Sequence, residues 1–120
     1  MPTETKLTEA DLAQFTGTEH WYRHWTGRGT FTDGIKFMAD RAGAYWLIDV
    51  VFSHQLKAKV RAEPFQIWEL KVKDGKGVVT MRRDSDCKPI VTQRLEYTDF
   101  PMAEVKMYFE NDVLLLPSER

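Results

Sequence analysis

The stretch from Phe65 to Arg83 constrains this chain more than any other, because two alternating runs are set around Asp74-Gly75-Lys76-Gly77. Trp68, Leu70 and Val72 alternate with Glu69, Lys71 and Lys73, the period-2 pattern of a strand with one face buried and one wet. An Asp-Gly pair tolerates the positive φ angles of a tight hairpin turn. Pro64 separates this region from what precedes it, since proline fixes φ and carries no N–H. Further strands are predicted over residues 90–98, 105–109 and 113–116, with turns at Phe100-Pro101 and Asn111-Asp112. Short connections make neighbours in sequence neighbours in space, so 65–116 reads as an antiparallel meander of four to five strands.

The first half carries helical signals. Thr8 reads as an N-cap, with Glu9 and Asp11 in the first turn, where the helix dipole favours negative charge. That helix runs through Phe15 and ends at Gly17. Thr32-Asp33-Gly34 starts a second helix, in which Ile35, Met38, Ala39 and Ala42 recur at helical spacing before Gly43 interrupts. Residues 44–52 are apolar almost all round, which predicts a buried helix reaching about Leu56, with a buried strand as the alternative. The aromatic run 20–25 suits either a helical turn or a strand. The polar segment 1–6 is expected to be disordered. The chain thus reads as one α+β domain, mainly helical over 8–57, with the helices on one face of the sheet. Trp46 and Trp68 are expected to meet in the core.

Composition narrows the function classes. A single cysteine, Cys87, excludes an internal disulfide. The N-terminus has no signal-peptide core, and the longest apolar stretch contains Asp49 and is too short to span a bilayer, so a cytoplasmic location is expected. The net charge of −1 argues against a highly basic nucleic-acid binder and against an acidic mimic of DNA. The charge is uneven, however: residues 55–83 hold eight basic and three acidic side chains, net +5.

Several residues are candidates for chemistry. His20 and His24 can share a metal only if 20–25 is helical, and no motif supplies a third ligand. Asp49 lies within an apolar segment and needs a partner such as Arg23, Arg41 or His54. Read functionally, Asp49 and the histidines would line a pocket between helix and sheet for a small ligand or a reaction. Read structurally, Asp49 sits on a wet stripe or closes an ion pair. Cys87, beside Asp84 and Asp86, lacks an activating base and reads as non-catalytic. Gly27-Arg28-Gly29 lacks the strand–loop–helix context of a phosphate loop. The reading assigns no catalytic residue, metal or cofactor. Trp21, Tyr22, Arg23 and Trp25 are instead the residue types enriched at binding hot spots. Lys71, Lys73 and Arg83 are expected to add positive charge toward an acidic partner surface.

Five stretches carry a resemblance. They are Leu12 to Gly17 with His20-Trp21-Tyr22-Arg23-His24, Phe31-Thr32-Asp33-Gly34, Ala42-Gly43-Ala44-Tyr45-Trp46-Leu47, Glu96-Tyr97-Thr98-Asp99-Phe100-Pro101, and Leu115-Leu116-Pro117-Ser118-Glu119. Together they resemble a family of small uncharacterised bacterial proteins carried by phages, plasmids and integrative elements. The resemblance implies no catalytic residues. It implies a genomic setting in which small proteins, anti-CRISPR proteins among them, inhibit host defence. The expectation is a non-enzymatic protein that binds a host protein.

Overall fold

The computed structural model of the protein describes residues 7–120, so the segment 1–6, expected to be disordered, lies outside the described residues. The class is α+β. The expected hairpin is strand β3 (Phe65–Lys73) and strand β4 (Lys76–Arg82), and its turn is tighter than the four residues expected. Asp74 and Gly75 both take positive φ, 55° and 75°, so Lys73 pairs directly with Lys76. Strand β5 (Val91–Leu95) pairs with β4. Strand β6 (Glu104–Glu110) and strand β7 (Val113–Leu115) follow, joined by Asn111-Asp112, again with positive φ at both.

The meander is corrected in one respect. Strand β6 does not pair with β5 but returns to β3, giving the spatial order β6-β3-β4-β5 of a Greek key. The connection 96–103 makes this possible by crossing the end of the hairpin. Thr98 N–H donates to the Gly75 carbonyl (2.8 Å), and Val72 N–H donates to Ala103 (2.7 Å).

The helical half also contains sheet. Strand β1 (Trp21–Arg23) and strand β2 (Thr30–Thr32) form a hairpin, and β2 lies parallel to β7. The result is a seven-stranded mixed sheet, β1-β2-β7-β6-β3-β4-β5. The helices are α1 (Glu9–Ala13), α2 (Asp33–Ala42), α3 (Tyr45–His54) and a short α4 (Ala58–Arg61). Thr8 caps α1 through a reciprocal pair with Asp11, and the Thr32 hydroxyl caps α2. Gly43 ends α2 in the left-handed conformation (φ 61°) that glycine adopts without penalty.

Helices α2 and α3 bury Ile35, Met38, Leu47, Ile48, Val51 and Phe52 against the inward side chains of the sheet. Trp68, Leu70, Met81, Met107 and Leu114 supply that inner face and are fully buried. Trp68 is the core residue expected. Trp46 is only partly buried, because it falls on the one wet stripe of α3 with Tyr45, Asp49 and Ser53. The chain ends in a 3-10 turn, Pro117–Glu119, which returns the Glu119 carboxylate to the start of α2. There it accepts from the Thr32 hydroxyl (2.6 Å), Gly34 N–H (3.1 Å) and Leu116 N–H (2.9 Å). No helix among the described residues is long and apolar enough to cross a membrane.

Candidate interaction surface at the sheet edge

Among the described residues β1 is the outermost strand of the sheet, and its backbone alternation decides what it offers. His24 N–H donates to the Gly29 carbonyl (3.0 Å), so Tyr22 and His24 turn their backbone groups toward β2. Trp21 and Arg23 therefore turn theirs outward, past the edge of the sheet. Side chains alternate as well. Tyr22 points inward and stacks on Phe31 at 5.6 Å, while Trp21 and Arg23 take the opposite face and are exposed.

His24 follows the inward parity and is 3% exposed, stacked on Phe52 with ring centroids 4.3 Å apart. Its Nε2 lies 2.7 Å from Asp49 Oδ1, and its Nδ1 2.8 Å from the Thr26 hydroxyl and 3.2 Å from Thr26 N–H. A backbone N–H needs an acceptor, so Nδ1 is the bare nitrogen and Nε2 carries the proton donated to Asp49. The partner of Asp49 is thus His24, rather than Arg23, Arg41 or His54. The carboxylate is half-exposed, as its place on the wet stripe of α3 requires.

The same Asp49 Oδ1 accepts from Trp25 Nε1–H at 3.0 Å. Trp25 is 78% exposed and Trp21 57% exposed, so two large rings stand clear of the protein on either side of the β1 edge. The bond to Asp49 fixes the Trp25 ring in its outward pose. Arg23 and Arg28 are exposed in the same hairpin. Thr26, which completes the support through His24, had no signal in the sequence beyond its position in the turn.

The three histidines do not converge. His20 is exposed, with Nδ1 3.6 Å from Asp33 Oδ1. His54, the last residue of α3, is buried with its Nε2 2.7 Å from Gln93 Oε1. Because 21–23 is strand, His20 and His24 sit roughly 13 Å apart along the chain, too far to share an ion. Among the described residues no group of three or more His, Cys, Asp or Glu is placed to hold a metal ion. A groove of about 560 Å3 between the β1–β2 turn and the start of β3 is lined by Arg28, Gln55, Arg61, Glu63 and Asp112, without Asp49 or any histidine.

A second groove, about 590 Å3, runs between β1 and α2 and holds Asp33, His20, Tyr22 and Lys36. Asp33 is pushed down to about 2, chiefly by the Glu19 backbone N–H, with help from the Tyr22 and Thr18 hydroxyls. The Tyr22 phenol is raised by donating to that carboxylate. Asp40 is held down by the Tyr45 phenol and then Lys36, and Lys36 is raised in turn by Asp40. These groups satisfy one another and tie β1 to α2.

Lys71, Lys73 and Arg83 do not join the aromatic edge. Lys71 and Lys73 lie on the outer face of β3, four strand spacings or about 19 Å from β1. Arg83 is exposed just beyond the end of β4. Cys87 is a free, partly exposed thiol in the following loop.

Fold and surface together define a small two-layer α+β domain, helices over one face of a mixed sheet, with a buttressed aromatic edge as its most exposed apolar feature. The chain belongs to a family of unknown function, DUF6876, whose model matches residues 6–120. No curated protein and no solved structure matches the chain.

Proposed function

We propose that this protein acts without turnover, by binding a protein through the β1 edge. The observation that carries the reading is the exposure of Trp21 and Trp25, 57% and 78%, beside Arg23 and Arg28. Large exposed rings cost solubility unless they are used, and Trp and Arg dominate interface hot spots. The Asp49 bond to Trp25 supports the same reading, since an anchor already fixed in place loses less conformational entropy on binding. The outward backbone groups of Trp21 and Arg23 add donors and acceptors to which an extended partner segment can pair. The resemblance to proteins of mobile elements points to a host protein as partner, and to inhibition of a host defence system, of the anti-CRISPR kind, as the role proposed.

The test is a quantitative comparison of proteins retained from bacterial lysate by the parent chain and by a Trp21→Ala/Trp25→Ala variant. Both rings are exposed, so the variant is expected to keep its melting temperature within a few degrees. Loss of a specific retained protein supports the reading. An identical retained set on both baits contradicts it.

A further inference from the structure

The +5 segment becomes interpretable only when its charges are sorted by face. Strand parity sends Lys71 and Lys73 of β3 to the open face, away from the helices. The register then brings other cations to the same side. Lys76 opposes Lys73, Arg94 lies beyond Val78 from Lys71, and Lys106 opposes Glu69. None of these five cations lies within ion-pairing distance of a described carboxylate. Two carboxylates share the patch. Glu69 faces Arg82 (3.5 Å), and Glu104 opposes Lys71 in the register without an ion pair. Asp74 borders it at the turn.

We propose that this open face is a binding site for single-stranded nucleic acid, independent of the protein contact at β1. The composition decides between nucleic acid and an acidic protein. Protein interface cores are depleted in lysine and enriched in aromatic residues and Met. Here four lysines and an arginine lie around Val78 and Glu69, and the large side chains of the same face, Phe65, Ile67 and Tyr108, lie toward its other end. That composition neutralises phosphates and makes a poor hot spot. Neighbouring positions on the face are spaced about 5 Å across strands and roughly 7 Å along them, close to the phosphate repeat of an extended single strand.

A flat sheet face does not enter a duplex groove as a helix does, and sheet platforms take single strands by stacking bases on aromatic rings. Such a ring stands at the border. Tyr108 follows Lys106 on the same face of β6, partly exposed and with its ring 5.0 Å from that of Phe65. The overall charge of −1 does not oppose the site, because the acidic surplus lies mainly in other segments.

The test is fluorescence anisotropy of a labelled oligothymidylate of about 20 nucleotides, titrated with the full chain at about 50 and about 200 mM salt. The parent is expected to bind, with affinity falling as salt rises. A Lys71→Ala/Lys73→Ala/Lys76→Ala variant is expected to bind about tenfold more weakly or worse, with a salt slope shallower by about 2, since each phosphate contact on a single strand contributes roughly 0.7. An Arg94→Ala/Lys106→Ala variant, made on different strands, should weaken binding in the same direction and guards against a folding defect in the first. Trp21→Ala/Trp25→Ala should bind as the parent does. The proposal is overturned if the parent binds no better than the triple variant. It is also overturned if a duplex of equal length binds as tightly, or if poly-glutamate at equal charge displaces the oligonucleotide as well as an unlabelled single strand does, which would indicate an acidic protein surface.

Discussion

Replacing Gly34 by alanine inside a helix normally stabilises a protein by up to about 1 kcal/mol, because alanine has the better helix propensity. In this chain the sign should reverse. A Cβ at position 34 would sit 2.7 Å from Glu119 Oε1 and 2.7 Å from Leu116 Cδ1, closer than real Cβ atoms approach. Both atoms end flexible side chains, yet neither is free to yield. Leu116 is 1% exposed, and Glu119 is held by three hydrogen bonds. Moving the carboxylate sacrifices the Thr32 and Gly34 bonds, about 1 kcal/mol each after discounting for partial exposure. Crowding Leu116 adds about 1–3 kcal/mol. Against the propensity gain, the net loss is about 2–4 kcal/mol, or a fall in melting temperature of roughly 10–15 °C for a domain of this size. Thermal denaturation followed by circular dichroism measures it. Pairing Gly34→Ala with Glu119→Ala should cost less than the sum of the two single changes, by about 1 kcal/mol, because the clash is shared. A Gly34→Ala protein that melts at or above the parent would refute the claim that the C-terminal turn is locked onto α2.

Asp49→Ala should lower stability by about 1–3 kcal/mol in the same assay, because the buried Nε2–H of His24 loses its acceptor, whereas Asp49→Asn keeps an acceptor oxygen and should cost less. Trp68→Ala should cost about 3–5 kcal/mol, and Trp46→Ala roughly half as much, since Trp46 is only partly buried. Asp33, held at about 2 against 3.8 for a free carboxyl, stabilises the fold above pH 4, and that contribution should fade as pH drops from about 4 to about 2. An acid titration of Asp33→Asn should lack that part of the transition.

The sequence made legible what is decided locally. The Asp74-Gly75 turn, the caps Thr8 and Thr32, and Gly43 each follow from the conformational preference of one or two residues. The segment 45–54 was legible as a helix because it is long and apolar, and Asp49 marked its wet stripe. What stayed hidden depends on distant partners. Strands β1 and β2 have three residues each, too short for a periodic signal, and β2 becomes a strand by lying beside β7, some eighty residues later. The return of β6 to β3 depends on 96–103 crossing the hairpin end, which alternation within a strand does not encode. At the β1 edge, residue types were visible in Trp21, Tyr22, Arg23 and Trp25, but parity was not. Only pairing with β2 turns Tyr22 and His24 inward, leaves Trp21 outward and delivers His24 to Asp49. On the open face, Lys71 and Lys73 were legible, while Lys76, Arg94 and Lys106 join them only through the register.

The protein contact at β1 is tested most directly by placing a photo-crosslinking benzoylphenylalanine at position 25 and irradiating the chain in bacterial cells. The same residue at Lys59, an exposed position on α4, serves as the control. The contact predicts a discrete protein adduct from position 25 that is absent from position 59 and lost when Trp21→Ala is added. Equal adducts from both positions, or none from position 25 in a folded chain, would contradict it.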